Sequence, residues 1–402
     1  MAVDGTTFAY ALKALTKPAR VMNLIYKNHP MYALIPKRED FTGKTWDIPT
    51  IYQNTPGASR LFATAQALKA NHAGATFLLT RVRDYAVGSI SNETMDASEN
   101  DEGAFVQALD TELKSCYSVF GNRMANALYR NTGGAIGRRS SISSNTVTLT
   151  NISDIVNFEV GMSIQAASTD GTSGSLRAGT SPTVSAVDRT LGTVTLSDQS
   201  LITAFADNDY LFAKGDFGVG MAGVMAWVPP SAPSSAAFYG VDRSVDTVRL
   251  GGIRVDISTY SAWEGFCKAH MLAWREGAEV DYWFCNPDHY ANVENELGSK
   301  VHYVDIKNDV GIGFNGIKVT GGGGKPATLL PDPWCPYGYS FGLQMDTWLM
   351  RSLKKAPRLL GKEEFHGMPP EATSDAMEIR VGGYFNLGCY GPGKNCIATM
   401  PT

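Results

Sequence analysis

A run of glycines, residues 321–324, stands directly before Lys325 and is the first stretch of this sequence that could do chemistry. A phosphate-binding loop has a further glycine five residues before the last one and a Ser or Thr directly after the lysine. These residues let backbone N–H groups cradle the phosphates and let a hydroxyl bind Mg²⁺. Val319 and Pro326 occupy those two places. We therefore interpret the run as a loop that does not bind phosphate.

A second candidate site combines Cys285, His289 and His302, whose side chains could bind a metal. Their spacing matches no standard zinc pattern, and Cys285 ends an apolar run that is typical of a buried strand. The chain has no G-x-S-x-G nucleophile motif, and sequence alone does not pair its carboxylates into an acid–base dyad. We therefore predict no catalytic residue, no cofactor and no metal.

The composition argues against several classes of protein. The net charge is −4, and the 35 Lys and Arg residues are spread along the chain, so no basic stripe indicates nucleic-acid recognition. Six scattered cysteines are typical of a reduced, intracellular protein. No signal peptide opens the sequence, and no apolar run reaches the length of a membrane span. We expect no contact with a membrane.

The elements of the chain are organised around one long helix, predicted over residues 101–131. Acidic residues in its first turn suit the helix dipole, and glycines follow its end. At 1.5 Å per residue the helix would be roughly 45 Å long, a strut that packs on a sheet. Its apolar residues recur at gaps of three and four, the period of one helix face; they are Val106, Leu109, Leu113, Cys116, Phe120, Met124 and Leu128.

Two segments before this helix have little apolar surface to bury against themselves. Prolines divide the apolar stretch 23–37 and prevent a long helix, so we expect this stretch to lie across another surface. Residues 45–52 and 75–90 alternate between apolar and polar as strands do, and turn residues 54–57 stand between them. This pattern predicts an extended hairpin with a loose tip that returns to the long helix.

The chain after the helix contains two regions of different composition. Residues 140–214 are rich in Ser, Thr, Gly and Val, and their short strand patterns favour a small β-barrel or sandwich. These patterns lie at 146–150, 162–165, 183–187, 193–196 and 210–212. A hairpin or extended arm is predicted at 238–256. Helices at 259–277 and 286–297 alternate with strands at 280–285, 301–306 and 317–320, as in a mixed α/β domain. Further strands are predicted at 339–348, 376–380 and 383–389.

In their order along the chain, these segments resemble the major capsid proteins of tailed bacteriophages, which have the Hong Kong 97 fold. The resemblance covers nearly the whole chain. It rests on apolar and proline residues of the stretch 23–37, on Phe41, Lys44 and Phe62, and on the later stretches 240–244, 286–287, 297–301, 345–348 and 381–387. The order of these stretches, with a long helix after an extended loop, carries the resemblance.

The resemblance implies an α+β capsid fold of the Hong Kong 97 type with an inserted small β-barrel or sandwich. The implied parts are an N-terminal arm (1–40), an extended loop (41–90), the spine helix of a peripheral domain (91–139), the inserted β domain (140–214), peripheral strands (215–255), an axial α/β domain (256–336) and C-terminal strands (337–402). The arm and the loop would contact a neighbouring subunit. The candidate contact residues are Asn23, Tyr26, Pro30, Leu34, Pro36, Phe41, Lys44, Phe62 and Lys69.

The implied function is that of a major capsid protein and not of an enzyme. Hexamers and pentamers of the chain would close an icosahedral shell around double-stranded DNA, as the virion capsid assembled in the host bacterial cytoplasm. Expected partners are further copies, a separate scaffolding protein, a portal protein, a decoration protein and DNA held by weak non-specific contacts. No large N-terminal cleavage is expected. Some members join a loop lysine to a neighbour's asparagine, and Lys44 or Lys69 with Asn386 or Asn395 would be the groups here.

Three alternatives remain open from the sequence. The first is the shell of a cellular nanocompartment with the same fold, an encapsulin-like protein that encloses an enzyme cargo. The second is an α/β enzyme with an appended β-module, against which the missing catalytic motifs count. The third is a carbohydrate-binding surface protein, which the Ser- and Thr-rich β region suggests but which would need a secretion signal.

Overall fold

The computed structural model describes residues 29–92, 102–177, 181–198, 204–298, 303–307, 313–320, 324–360, 369–370 and 375–401. Helices α1 to α6 of these residues span Pro30–Leu34, Phe62–Ala67, Glu102–Tyr129, Val224–Trp227, Ala262–Arg275 and Pro287–Leu297. Strands β1 to β10 span Lys37–Arg38, Thr45–Gln53, Ala73–Thr80, Val82–Ser91, Gly137–Ser143, Thr146–Leu149, Ile164–Ala167, Val184–Asp188, Thr193–Leu196 and Tyr210–Ala213. Strands β11 to β20 span Ile253–Asp256, Tyr282–Cys285, Tyr303–Lys307, Gly313–Val319, Ala327–Pro331, Tyr339–Leu343, Trp348–Ser352, Arg358–Leu359, Ala376–Cys389 and Cys396–Thr399.

The long helix α3 is present as predicted and packs on strands β4 and β19. Of the predicted apolar face, the side chains of Leu113, Cys116, Phe120, Met124 and Leu128 are buried in the main core. The side chains of the two earlier members of that face, at positions 106 and 109, lie outside the described residues. Because the buried side chains follow one stripe, the helix stabilises the sheet along its length.

The sheet beneath this helix has the order β1-β17-β19-β18. Strand β4 lies outside this order and pairs antiparallel with β19. Residues 376–380 and 383–389, predicted as two strands, form the single fourteen-residue strand β19. Neighbouring side chains approach Gly382 and Gly383 of this strand closely. A Cβ atom added to Gly382 would lie 2.7 Å from Leu360 Cδ1, and one added to Gly383 would lie 2.7 Å from Ala356 Cβ.

The predicted hairpin forms between β2 and β3, but its return strand ends earlier than the alternation indicated. Residues 75–90 divide at Arg81, since β3 pairs with β2 whereas β4 pairs with β19. The Arg81 guanidinium donates a 2.8 Å hydrogen bond to the Phe41 carbonyl and lies over the Phe41 ring. These contacts fix the corner at which the chain changes sheets. The predicted loose tip contains the short helix α2.

Residues 137–213 form a six-stranded sheet with the order β7-β10-β5-β6-β9-β8. A bridge between Ser163 and Thr183 joins the two ends of this order, so the sheet closes as a small barrel. Its interior is a separate apolar cluster that includes Val147, Phe158 and Leu211. The five predicted strands are confirmed within about two residues. Strand β5 was not predicted, because its arginines and serines hide the apolar alternation.

The remaining strands form a seven-stranded sheet with the order β11-β20-β16-β12-β15-β14-β13. Helices α5 and α6 pack on it around a second core that includes Phe266, Trp283 and Val293. The two predicted helices and the strand at 280–285 are confirmed. The chain therefore has the mixed α+β class that the sequence predicted.

Two further sequence expectations in this part of the chain are wrong. Residues 339–348 do not form one strand, since the chain leaves β16 at Gln344 and enters β17 of the other sheet through a short 3₁₀ turn. The Asn395 amide oxygen, which accepts from the Gln344 N–H at 3.0 Å, holds this corner. The hairpin or arm expected at 238–256 is a tight turn between Phe238 and Val241, followed by turns and by the short strand β11.

Among the described residues, the helices are too short or too polar to cross a membrane.

Candidate functional site

The hairpin of β2 and β3 is anchored in the main core at its base. Trp46, Ile48, Phe77 and Leu79 point to the buried side of the two strands and are almost fully shielded from solvent. The Phe77 ring lies edge-on to Trp227, with ring centroids 5.1 Å apart. Because alternate residues of a strand face opposite sides, these four positions fix the register of the hairpin on the body of the protein.

The far end of the hairpin, residues 51–72, is here called the hairpin tip, and it presents apolar side chains to solvent. Phe62 is 81% exposed, Leu61 70%, Ile51 66% and Leu68 54%. Scattered apolar side chains are normal on a protein surface, but several exposed on one short segment favour an interaction site. The hairpin tip therefore combines a base that is anchored in the core with an exposed apolar surface.

The predicted contact residues fall into four groups. Asn23 and Tyr26 lie outside the described residues. Pro30 and Phe41 are buried within their own chain, and their role in a subunit contact stays a prediction. Leu34 is half-buried and packs against the main core. The exposed candidates are Pro36, Lys44, Phe62 and Lys69, of which the last two lie in the hairpin tip.

The described part of the predicted arm, residues 29–35, packs on its own chain. Met31, Tyr32 and Ile35 of this segment join the main core beneath α3. The Lys37 ammonium donates to the carbonyls of Tyr32 and Ile35 at the end of helix α1, as cations do at helix C-termini. The described part of the predicted arm is thus fixed to its own subunit.

The two asparagines considered for a covalent cross-link are not accessible in this structure. Asn386 is fully buried, and its side-chain amide donates a 2.7 Å hydrogen bond to the Thr80 carbonyl. Asn395 is also fully buried, and its amide oxygen accepts from the Trp348 indole at 2.7 Å. Both side chains therefore hold the corners of their own chain, and a neighbour's lysine could not reach them without local unfolding.

A buried hydrogen-bond centre that the sequence did not indicate joins the helix α3 to the seven-stranded sheet. Tyr129 Oη donates a 2.7 Å hydrogen bond to Asp332 Oδ2, and the Trp334 N–H donates at 3.0 Å to Asp332 Oδ1. Burial raises the pKa of Asp332 to about 6. Tyr129 lies one residue after the predicted apolar face. The sequence did not indicate that its hydroxyl would form a hydrogen bond with a residue 203 positions away.

Arg123 forms a second connection between distant segments. Its guanidinium lies 2.9 Å from Asp84 Oδ1 on β4 and 2.9 Å from Asp216 Oδ2 in the loop after the barrel. It borders a cavity of about 310 Å³ between α3, β4 and this loop. Because the arginine pairs with the carboxylates of Asp84 and Asp216, these two groups stabilise the fold and are not free to act as an acid or a base.

The sites first considered for chemistry have structural contacts in the described residues. The Cys285 thiol is buried and donates to the Leu330 carbonyl, and His289 Nε2 lies 2.6 Å from the Tyr337 carbonyl oxygen. His302 and glycines 321–323 lie outside the described residues. Lys325 pairs with Asp281. No group of three potential metal ligands occurs within the described ranges, and all six cysteines are free thiols.

Comparisons with known proteins identify the fold but no sequence relative. No family model matches the chain, and no curated protein matches its sequence. The cyanophage A-1(L) capsid structure matches with a TM-score of 0.51 and 11% identity, over 93% of this chain and 92% of that one. The capsid of a native GTA particle gives 0.45 with 8% identity, over 92% and 90% of the two chains. An encapsulin from Synechococcus elongatus gives 0.44 with 9% identity, over 92% and 86%.

The cyanophage match extends over nearly the full length of both chains, so it concerns the whole arrangement of helices and sheets and not one shared motif. At such low sequence identity the similarity defines the fold alone. The chain therefore has the fold of a phage capsid protein, as the resemblance of its sequence to the tailed-phage capsid proteins predicted.

Proposed function

We propose that this protein is the major capsid protein of a tailed bacteriophage and that its copies assemble as hexamers and pentamers into a closed icosahedral shell around double-stranded DNA. The observation that carries the proposal is the hairpin tip. Its base is fixed in the core while Leu61 and Phe62 remain exposed at the end. An element of this kind is stabilised when a second copy covers it, since burying one such side chain contributes about 1.5–3 kcal/mol.

The geometry of such a contact favours rings. The hairpin tip meets a different surface on the next copy, so the contact is heterologous, and heterologous contacts close into rings or continue as open filaments. Rings of six and of five copies are the units from which a closed shell is built.

The domain boundaries given in the sequence analysis are proposed on the same basis. The barrel of residues 137–213 faces outwards in this proposal, because it has its own core and a polar surface.

The partners and the location follow from this role and are proposals as well. A separate scaffolding protein, a portal protein, a decoration protein and packaged DNA would accompany the shell in the virion, with assembly in the host cytoplasm. A wall with a net charge of −4 per chain would hold DNA only weakly, because strong binding needs many contacts between cations and phosphates. In the proposed function, the role of the chain is structural and not catalytic.

Electron microscopy of the purified full-length protein, expressed alone and with its neighbouring genes, tests the proposal. We expect closed, uniform shells or rings of five and six copies, with DNA in the shells from the phage context. Shells filled with a protein cargo would favour the encapsulin-like alternative. Monodisperse monomers under every condition would contradict a shell function altogether and would direct attention to the enzyme alternative.

A further inference from the structure

The cavity of about 310 Å³ between α3, β4 and the loop after the barrel extends from the surface towards the main core. Its lining includes the exposed residues Arg83, Gly215 and Val219 as well as the buried residues Met221 and Phe385. Small-molecule sites in proteins have volumes of about 300–1,000 Å³. The cavity is therefore large enough for a small ligand, and its exposed lining gives such a ligand a way in.

The buried part of the lining contains an amide group that lacks an acceptor. Asn126 is 8% exposed, and its Oδ1 accepts a 3.1 Å hydrogen bond from Arg130 Nε. Because Arg130 Nε can only donate, this bond fixes which end of the Asn126 amide is the oxygen. The Nδ2 group at the other end donates to no residue that the structure describes. A buried donor without a partner costs free energy, so the cavity has a place for an acceptor that the described chain does not supply.

Two guanidinium groups of the lining also have unused donors. Arg130 donates through Nε to Asn126 and through Nη2 to Asp154, while its Nη1 donates to no described residue. Arg83 is exposed and forms neither an ion pair nor a side-chain hydrogen bond within the described ranges. Asn126 and Arg130 are four residues apart, so they lie on the same face of α3. These three unused groups are all donors, and a ligand that satisfies them must be an acceptor.

The carboxylates of the lining limit the charge of that acceptor. Asp84 and Asp216 share the single guanidinium of Arg123. A phosphate with two negative charges would add repulsion to two aspartates that already share one cation. A carboxylate brings one negative charge, and its two oxygens match the planar arrangement of guanidinium donors. The polar lining therefore favours a monocarboxylate over a phosphate.

Apolar side chains form the remainder of the buried lining. Ile136, Met221 and Phe385 are all buried and line the same cavity as Asn126. A hydrocarbon group attached to the carboxylate would be removed from water against these side chains, which is favourable. A fully hydrated ion such as sulfate would leave them without a contact. The lining as a whole therefore fits a carboxylate with a short apolar body.

We propose that this cavity binds a small aliphatic monocarboxylate. Its carboxylate accepts hydrogen bonds from Asn126 Nδ2, Arg130 and Arg83, and its hydrocarbon part contacts Ile136 and Met221. The ligand thereby joins three segments of the chain, namely the end of α3, the start of β4 and the loop that leaves the barrel. The inference concerns a site within one chain and does not depend on whether the chain forms shells.

Titration calorimetry of the full-length protein with hexanoate at about pH 8 tests the proposal. We expect saturable binding with a dissociation constant of about 1 mM or below. Hexanol lacks the charge and hexyl phosphate carries a second one, so each should bind more weakly by at least about tenfold. Absence of saturation with hexanoate up to about 10 mM would overturn the proposal. Binding of hexanol or of hexyl phosphate as tight as that of hexanoate would overturn it as well.

Two variants test which groups bind the carboxylate. Arg83→Met removes an exposed donor and should lower the affinity for hexanoate by about tenfold. Arg60→Met makes the same change in charge at an exposed position of the hairpin tip, and this control should bind like the wild type. Asn126→Asp keeps the acceptor for Arg130 but replaces the buried donor by an oxygen, so it should abolish binding. Equal affinities of Arg83→Met and Arg60→Met, or wild-type affinity of Asn126→Asp, would overturn the proposal.

Photoaffinity labelling locates the site in the wild-type protein, whether or not the chain has assembled. A diazirine derivative of hexanoate loses N₂ on irradiation, and the resulting carbene inserts into a neighbouring C–H, N–H or O–H bond. We expect labelled peptides that contain Ile136 or Met221, and an excess of hexanoate should prevent their labelling. Labels confined to other parts of the chain would overturn the assignment to this cavity. Electron micrographs of the same protein judge the shell function separately.

Discussion

Tyr129 Oη donates a 2.7 Å hydrogen bond to Asp332 Oδ2, and this contact joins the end of the long helix α3 to the loop that follows β15. Both side chains are almost fully buried. Burial raises the pKa of Asp332 to about 6, whereas hydrogen bonds from Tyr129 and from backbone N–H groups oppose the rise. The pair therefore joins helix α3 to the seven-stranded sheet through a carboxylate that is costly to ionise.

Replacing Tyr129 by Phe should lower the free energy of unfolding by about 1–3 kcal/mol, since a buried acceptor loses its donor. Because folding raises the pKa of Asp332, its contribution to the free energy of unfolding falls as pH rises from about 4 to about 6. Without the hydroxyl the pKa of Asp332 rises further. The deficit of the variant should thus be larger at pH 8 than at pH 5 in urea unfolding.

Tyr117→Phe is the matched control for this measurement. Tyr117 is a buried tyrosine of the same helix, about 18 Å from Tyr129 along the helix axis. Its replacement should give a deficit that does not change between pH 5 and pH 8. A Tyr129→Phe deficit that is equally independent of pH would show that Asp332 is not the group that responds.

His29 should make the protein less stable in acid. It is 3% exposed, its Nδ1 has no hydrogen-bond partner among the described residues, and its ring centroid lies 5.6 Å from that of Trp334. Burial lowers the pKa of His29 to about 4, so stability present above pH 6.5 is lost as pH falls towards 4. The loss from this group should approach about 3 kcal/mol at pH 4.

His29→Phe should therefore flatten the acid limb of the stability curve, measured as the urea midpoint between pH 7 and pH 4. His72→Phe, at an exposed position of the hairpin, is the control and should leave the curve unchanged. An acid limb that is as steep in His29→Phe as in the wild type would assign the loss to other groups.

Arg123 should be more important for stability than an ordinary surface arginine. Arg123→Met leaves the carboxylates of Asp84 and Asp216 without their cation, and we expect a loss of about 2 kcal/mol because both are partly buried. Arg275→Met removes a more exposed pair with Glu276 and should change stability by less than about 0.5 kcal/mol. Equal effects of the two replacements would contradict the assignment of Arg123 as a connection between β4, α3 and the loop after the barrel.

The base and the tip of the hairpin should respond to mutation in opposite ways. Leu61→Ser with Phe62→Ser should leave the thermal midpoint of the unassembled chain nearly unchanged, since both side chains are exposed. The same variant should fail to form shells in electron micrographs, because it removes apolar area from the proposed contact. Normal shells from this variant would contradict the role proposed for the hairpin tip.

Gly388→Ala tests the base of the hairpin. Its added Cβ would overlap the Trp46 ring and approach Ile48 Cδ1 to 2.7 Å, so we expect a destabilisation of about 1–3 kcal/mol from overpacking. Gly338→Ala is the control, because a Cβ there meets no atom within 4 Å. Calorimetric scans of the two variants would distinguish a packing effect from the general effect of removing a glycine.

Much of the local structure was determined by the sequence itself. The apolar residues Leu113, Phe120 and Leu128 recur at the helical period, and that period forces one buried face whatever the surroundings are. The alternation at residues 45–52 likewise fixed which side of β2 is buried. The order of such segments was sufficient to predict the capsid fold, because local period and chain order are properties of the sequence alone.

Only the tertiary structure decided which strands pair and where the chain changes sheets. Arg81 and Gln344 each end a strand pattern that continues in the sequence, and distant contacts, to Phe41 and Asn395, set these corners. Phe41 is likewise buried in the core of its own chain, a position that its local sequence did not indicate. Tyr129 and Asp332 are 203 residues apart, and no local pattern encodes a hydrogen bond between them, because such a contact depends on how all the intervening elements pack.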